Sequence, residues 1–229
     1  MKPIYEPRGA AKEYGDFALN IYNGCSHRCF YCYTPGVLKK DREEFHADVT
    51  PRENILEATV EQLEREHITG KTVHLCFTCD PYPKGYDSTL TRDIIIALKK
   101  HGNNVQILTK NDITRDFDVL GAGDSFGITL DGTENEHTMS VKERIEALRK
   151  AHEIGMHTWV SFEPVVDADV VLDNIREVAD FVDRVKIGKL NYHPSDINWK
   201  AFGEKVEALC KELNLEYYIK DALRKEIEQ

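Results

Sequence analysis

Three cysteines, Cys25, Cys29 and Cys32, lie close together in the stretch Gly24-Cys25-Ser26-His27-Arg28-Cys29-Phe30-Tyr31-Cys32-Tyr33. Thiolates are soft ligands that select iron-sulfur clusters, zinc or copper(I), and this C-x3-C-x2-C spacing lets three of them converge on one inorganic centre. A structural zinc site takes four protein ligands and a 4Fe-4S cluster presents four irons, so three cysteines leave one position for something else. An open position points to chemistry. The competing reading is a zinc loop completed by His27, His46 or a remote cysteine. Disulfides fit poorly, because six cysteines among 229 residues is a low density and the sequence shows neither a secretory signal nor a membrane-length apolar run. The expectation is a reducing, cytoplasmic setting and no membrane partner.

Several elements must deliver this loop and whatever surrounds it. Phe17 to Tyr22 reads as a buried strand that ends where the cysteine loop begins. Thr50-Pro51-Arg52-Glu53 carries the signals of a helix start, and Ile55, Leu56, Thr59, Val60 and Leu63 recur at helical spacing behind it. Further strands are expected at Thr72 to Phe77, Val105 to Leu108, Ser125 to Leu130, His157 to Phe162 and Val185 to Ile187, with a last short one at Glu216 to Ile219. Helices are expected between them at Leu90 to Lys100, Ile113 to Leu120, from the capping box Ser140-Val141-Lys142-Glu143 onward, at Val170 to Phe181 and at Trp199 to Leu213. Short strands alternating with helices specify a parallel sheet, and at roughly 30 residues per unit the chain has room for about six. The fold expected is an α/β partial (β/α)6 barrel in a single domain, residues 17–229, behind an irregular arm at residues 1–16. Its incomplete wall would leave a lateral opening for a large substrate.

In α/β barrels, function collects in the loops after the strands' C-terminal ends. Here those loops bring the three cysteines together with Thr78, Cys79 and Asp80, Thr109 and Lys110, Thr129 and Asp131, Ser161 and Glu163, and Lys186 and Lys189. This mostly polar ring suits a zwitterionic ligand. Each member has a plainer alternative: Asp80 before Pro81 makes a good turn, Lys110 a surface lysine, and Cys76 a buried strand residue. Glu163 closes an apolar strand, a costly place for an unpaired carboxylate.

The cluster loop, with aromatic Tyr31 before its last cysteine, resembles that of radical S-adenosylmethionine (radical SAM) enzymes. The segments Asn23-Gly24-Cys25, Thr78-x-Asp80-Pro81-Tyr82, Leu90-Thr91-Arg92, Thr109-Lys110 and Arg115-Asp116-x-Asp118-x-Leu120 are similar to its spore photoproduct lyase-related branch, from about Leu19 to Glu163. The resemblance implies a 4Fe-4S cluster on Cys25, Cys29 and Cys32, and S-adenosylmethionine (SAM) bound at the fourth iron. It implies a partial barrel of six units, agreeing with the count from periodicity. It places Tyr31 near the adenine, Thr78 and Asp80 near the SAM amino group, and Lys110 near its other polar groups. Ser161 joins this cofactor set from the barrel-top ring, and Cys79 and Glu163 are the catalytic candidates.

The activity implied is reductive cleavage of SAM to a 5'-deoxyadenosyl radical that abstracts hydrogen from an unidentified substrate. A one-electron donor such as flavodoxin or ferredoxin is the implied partner. One departure stands out: the lyase's hydrogen-donor cysteine, just before the Thr-x-Asp segment, is here Phe77. DNA photoproduct repair is therefore disfavoured. Nucleic acid of any kind is a weak candidate partner, because 30 basic against 40 acidic residues leave a net charge of -10. The alternatives are an iron-sulfur or zinc protein without SAM chemistry, and a nucleic-acid lyase or modification enzyme.

Overall fold

The computed structural model describes residues 2–228. Seven strands, β1 (Phe17–Leu19), β4 (Thr72–Leu75), β5 (Asn104–Thr109), β6 (Ser125–Thr129), β7 (His157–Val165), β8 (Arg184–Lys189) and β9 (Glu216–Ile219), form one sheet in that spatial order. Every neighbouring pair is parallel. Helices α3 (Ile55–Glu66), α4 (Thr89–Lys100), α5 (Val141–Glu153), α6 (Ala168–Val178), α7 (Trp199–Glu212) and α8 (Asp221–Ile227) follow strands β1, β4, β6, β7, β8 and β9. Their apolar stripes bury residues such as Ile94, Ile145, Ile175 and Val206, and that one-sided burial is what holds amphipathic helices on a sheet. Six strand-helix units are complete.

The expected helix at Ile113 to Leu120 is instead a single 3-10 turn, Thr114–Asp116. Asp112 accepts hydrogen bonds from the Thr114 backbone and hydroxyl, a local alternative that competes with helix formation. The buried Asp116 is committed elsewhere, accepting from the Tyr82 hydroxyl at 2.9 Å and pairing with Arg92 at 3.1 Å.

The expected helix start at Thr50-Pro51 is also corrected. Those two residues form strand β3 (Thr50–Pro51), paired antiparallel with β2 (Tyr22–Asn23). The residue before a proline favours extended backbone, and here a partner strand is at hand. The helix begins only at Ile55, after Asn54 in a left-handed conformation. The expected strand Phe17 to Tyr22 is accordingly split between β1 and β2, and β4 ends at Leu75 because Cys76 has a φ of +73°.

Two short helices, α1 (Thr34–Leu38) and α2 (Arg42–Ala47), follow the cysteine loop, and neither was expected. The N-terminal arm is not detached. Tyr5 pairs with the outer edge of β1 through two backbone bonds to Ala18, at 3.0 and 2.8 Å. Glu13 reaches the opposite edge, where it accepts from the Tyr218 hydroxyl and the Asp221 backbone at 3.1 Å each. The side of the sheet expected to be open is thus crossed by the arm.

Candidate active site

β2 delivers the chain to Gly24, which sits at φ +82°. A Cβ on Gly24 would lie 2.0 Å from the Asp48 carbonyl oxygen and 2.8 Å from that of Phe45, so only glycine lets the loop pass this close to the end of α2. Beyond it Cys25, Cys29 and Cys32 are free, partly exposed thiols. Burial pushes the Cys25 and Cys32 thiols up.

Helix α2 braces the loop from behind. Arg42 Nη2 donates to the carbonyls of Cys29 and Phe30 at 2.5 and 2.6 Å, and Nη1 donates to that of Cys32 at 3.1 Å. One turn later on the same face, His46 Nδ1 donates to the Cys25 carbonyl at 2.8 Å. That carbonyl is an acceptor, which fixes the Nδ1-H tautomer.

Among the described residues, no three His, Cys, Asp or Glu side chains gather closely enough to hold a single ion. A four-iron cluster places each thiolate on a different iron, so it requires wider spacing than one zinc. Of the histidines that a zinc loop would recruit, His27 is engaged at both ring nitrogens, while His46 spends Nδ1 on the loop backbone and its buried Nε2 meets no hydrogen-bond partner. His27 faces Asp80 at 3.3 Å through Nδ1 and accepts from the Lys84 backbone through Nε2. Three thiols on one braced loop, with no fourth protein ligand beside them, fit a 4Fe-4S cluster better than zinc.

From the loop itself, half-buried Tyr31 meets buried Lys110 and Asp131 in a triad. The Tyr31 hydroxyl and the Lys110 ammonium both donate to Asp131 Oδ2, and Lys110 also donates to the Tyr31 oxygen. Burial alone would raise the Asp131 carboxyl, but the Lys110 charge and the donated hydrogen bonds outweigh it and hold the group ionised below its usual range. Asp80 is equally committed. Its carboxylate accepts from Tyr82 N at 2.8 Å, the Thr109 hydroxyl at 2.6 Å and Lys110 N at 3.2 Å, besides facing His27. Here too burial opposes ionisation, but His27 beside the carboxylate and these hydrogen-bond donors prevail, so the pKa is lowered. Asp80 therefore ties the cluster loop to the ends of β4 and β5. Thr78 accepts from Arg52 at 3.1 Å, and its backbone N-H, like that of Phe77, donates to Asn20 Oδ1.

Ser161 and Glu163 belong to a second network deeper in the barrel. The Tyr14 hydroxyl, brought in by the arm, lies 3.1 Å from Ser161 Oγ and donates to Glu163 Oε2 at 2.5 Å. Lys220 binds the same carboxylate at 2.6 Å and Glu13 at 3.1 Å. Glu163 is thus paired, which removes the cost expected of it. Cys79 lies beside the ring as a free, partly exposed thiol packed against the core. Phe77, in the position noted above, stacks on His74 at 4.3 Å.

The structure therefore gathers the cysteines, Tyr31, Thr78, Asp80 and Lys110 around one mouth and sets Ser161 and Glu163 below it. Sequence reasoning missed Arg42, Tyr14 and Lys220, and weighed His46 only as a ligand of a zinc loop. Asp131 appeared among the strand-end residues without a role. No local signal marks any of them, since each acquires its partner from a distant segment.

The chain belongs to the radical SAM superfamily, whose family model matches residues 19–182. It is an enzyme of that type, and the family's cofactors are a 4Fe-4S cluster and SAM. Similar sequences include uncharacterized proteins of Methanocaldococcus jannaschii, 26% identical over 72% of this chain and 68% of that one, and of Acidianus two-tailed virus, 27% identical over 77% and 65%. An uncharacterized protein of Mycobacterium tuberculosis is 30% identical, over 43% of this chain and 31% of its own length. The chain thus spans about two thirds of the first two.

Among solved structures, a spore photoproduct lyase mutant with bound SAM and a dinucleoside spore photoproduct superposes with a TM-score of 0.69 at 12% identity, over 93% of this chain and 78% of that one. Streptococcus suis SuiB bound to SAM gives 0.64 at 13% identity, over 88% and 50%. These likenesses establish the fold.

Proposed function

We propose that Cys25, Cys29 and Cys32 hold the 4Fe-4S cluster, and that SAM binds across the mouth lined by Tyr31, Thr78, Asp80 and Lys110. The observation that carries this reading is a thiol loop braced from behind and facing a preformed polar ring. When bound, the cluster and SAM supply a one-electron cleavage that ends in hydrogen abstraction from an unreactive carbon. The chain's own residues bind and orient. Lys110, held beside Asp131, presents a cation at the mouth; Tyr31 offers a ring face; and Thr78, fixed through Arg52 and Asn20, offers a hydroxyl. Asp80 acts by fixing the Lys110 backbone and His27.

Ser161 is a candidate for the deeper end of the cofactor site. Glu163, held by Tyr14 and Lys220, is the catalytic candidate of this second network. Cys79, a free and partly exposed thiol beside the ring, is the second catalytic candidate. Substrate enters at the mouth, since the arm crosses the side of the sheet. We read residues 17–229 as one domain with the arm at 1–16 joined to it.

A one-electron donor of the flavodoxin or ferredoxin kind, in the cytoplasm, completes the reading. Among the described residues no helix is long and apolar enough to cross a membrane. The test is anaerobic reconstitution followed by dithionite and SAM, with 5'-deoxyadenosine and iron measured. Four irons per chain and cluster-dependent 5'-deoxyadenosine are expected, both lost in Cys29→Ala. Bound zinc, or a cluster in Cys29→Ala equal to that of the unsubstituted chain, would refute the assignment.

A further inference from the structure

Arg42 lies ten residues beyond the last cysteine, yet it spends its guanidinium on the cysteine loop. Its two terminal nitrogens hold the backbone carbonyls of Cys29, Phe30 and Cys32. The acids around it are occupied elsewhere: Glu43 pairs with Arg28 at 2.8 Å, and Asp41 caps α2 by accepting from Glu44 N at 3.0 Å. Arg42 is therefore a cation turned toward the loop. His46, on the same face of α2, takes the carbonyl of the first cysteine. Between them, these two side chains anchor the backbone of all three cysteines.

Only a planar fork with several fixed donors can hold three carbonyls that diverge around one loop, and a lysine ammonium reaches fewer. Backbone amides and charges close to an iron-sulfur cluster set its potential, because adding an electron adds negative charge.

We propose that Arg42 is the positioning residue of the cluster, with His46 as its second anchor. Arg42 holds the ligand loop in its binding geometry and places a fixed positive charge that makes the cluster easier to reduce. This inference rests on the assignment of the cluster to Cys25, Cys29 and Cys32. It separates two properties, geometry and charge, that different substitutions remove.

The test uses the full chain reconstituted anaerobically, with Arg42→Lys and Arg42→Gln as variants. The measurements are the midpoint potential by EPR-monitored titration and the rate of iron loss to an added chelator. Arg42→Gln removes the charge, and its reduced fraction at a fixed poise is expected to fall about tenfold, equivalent to roughly 59 mV for one electron. Arg42→Lys keeps the charge, so its potential stays near that of the unsubstituted chain, while iron is lost several-fold faster because one ammonium cannot hold three carbonyls.

An unchanged potential in Arg42→Gln overturns the proposal, whatever its rate of iron loss. A collapse of the fold would be seen in the thermal melt of Arg42→Gln, and Arg42→Lys then still decides: iron loss at the unsubstituted rate overturns the proposal. If the unsubstituted chain takes up no cluster, the cluster assignment itself has failed, and that is known before any variant is made.

Discussion

Removing the Asp80 carboxylate tests how the site is held together. Asp80 is only 9% exposed and satisfies Tyr82 N, the Thr109 hydroxyl, Lys110 N and His27 at once. Hydrogen bonds to a charged acceptor contribute about 1.5–3 kcal/mol each. They share one acceptor and do not add. The loss of one partner of a buried pair costs about 3–5 kcal/mol, so Asp80→Ala is expected to destabilise the chain by about 4 kcal/mol. For a domain of this size each kcal/mol lowers Tm by roughly 2–4 °C, which gives a fall of about 8–16 °C.

Asp80→Asn keeps the shape but turns an amide N-H₂ toward donors, and about 1–3 kcal/mol is expected for the one left unpaired. The assay is calorimetric unfolding of the metal-free chain, which separates this effect from cofactor binding. The sign of the pH dependence follows from the lowered pKa. The stabilisation is complete above the ordinary carboxylate value of 3.8 and is lost as pH falls through the lower folded value. The gap between the unsubstituted chain and Asp80→Asn therefore narrows on acidification below about pH 4. If Asp80→Ala melts within about 3 °C of the unsubstituted chain, the carboxylate is not the tie described, whatever happens to SAM affinity.

Two further outcomes follow from the same geometry. Gly24→Ala forces a Cβ to 2.0 Å from the Asp48 carbonyl at a φ of +82°; the loop must shift, and iron uptake on reconstitution is expected to fall well below that of the unsubstituted chain, with normal loading counting against the close approach. Burial, helped by the neighbouring Arg184 and Lys220 charges, brings Lys186 down to about 8 from the ordinary 10.5. Between these values the folded chain has released a proton that the unfolded chain still binds, so stability rises with pH there. Relative to Lys186→Met, the unsubstituted chain should gain up to about 3 kcal/mol from pH 8 to 10.5 in urea titrations, and a flat difference would refute the assigned burial cost.

Much of the barrel was legible because its signals are local. The capping box at Ser140 and Glu143 forms as its spacing requires, with the side chain of each meeting the backbone of the other. Strands β5, β6 and β9 fall where periodicity put them, to within a residue or so. The misreading at the first helix start came from outside any local window. Thr50-Pro51 carries a helix-start pattern, but Tyr22 and Asn23 offer it a partner strand that no local window contains.

The site divides in the same way. Cys25, Cys29 and Cys32 announce themselves by spacing, and Asp80 and Lys110 by position after strands. The bonds that make them a site join residues far apart in the chain, such as Tyr31 with Asp131 and Asn135 with the His27 carbonyl. Arg42 is one charge among several in a polar stretch, and nothing near it in sequence says which carbonyls it will take.

The arm has a consequence for the order of assembly. Glu13 precedes its partners Tyr218 and Asp221 by 205 and 208 residues. Tyr14 likewise waits for Ser161 and Glu163, and the Glu13 carbonyl for Lys186. Contacts of such long sequence separation form late, because the loop they close must be ordered first. The Glu13 contacts with Tyr218 and Asp221 can therefore form only after β9 is in place, later than those of Tyr14 with β7. Docking of Glu13 on β9 is thus a check that every intervening strand has taken its place.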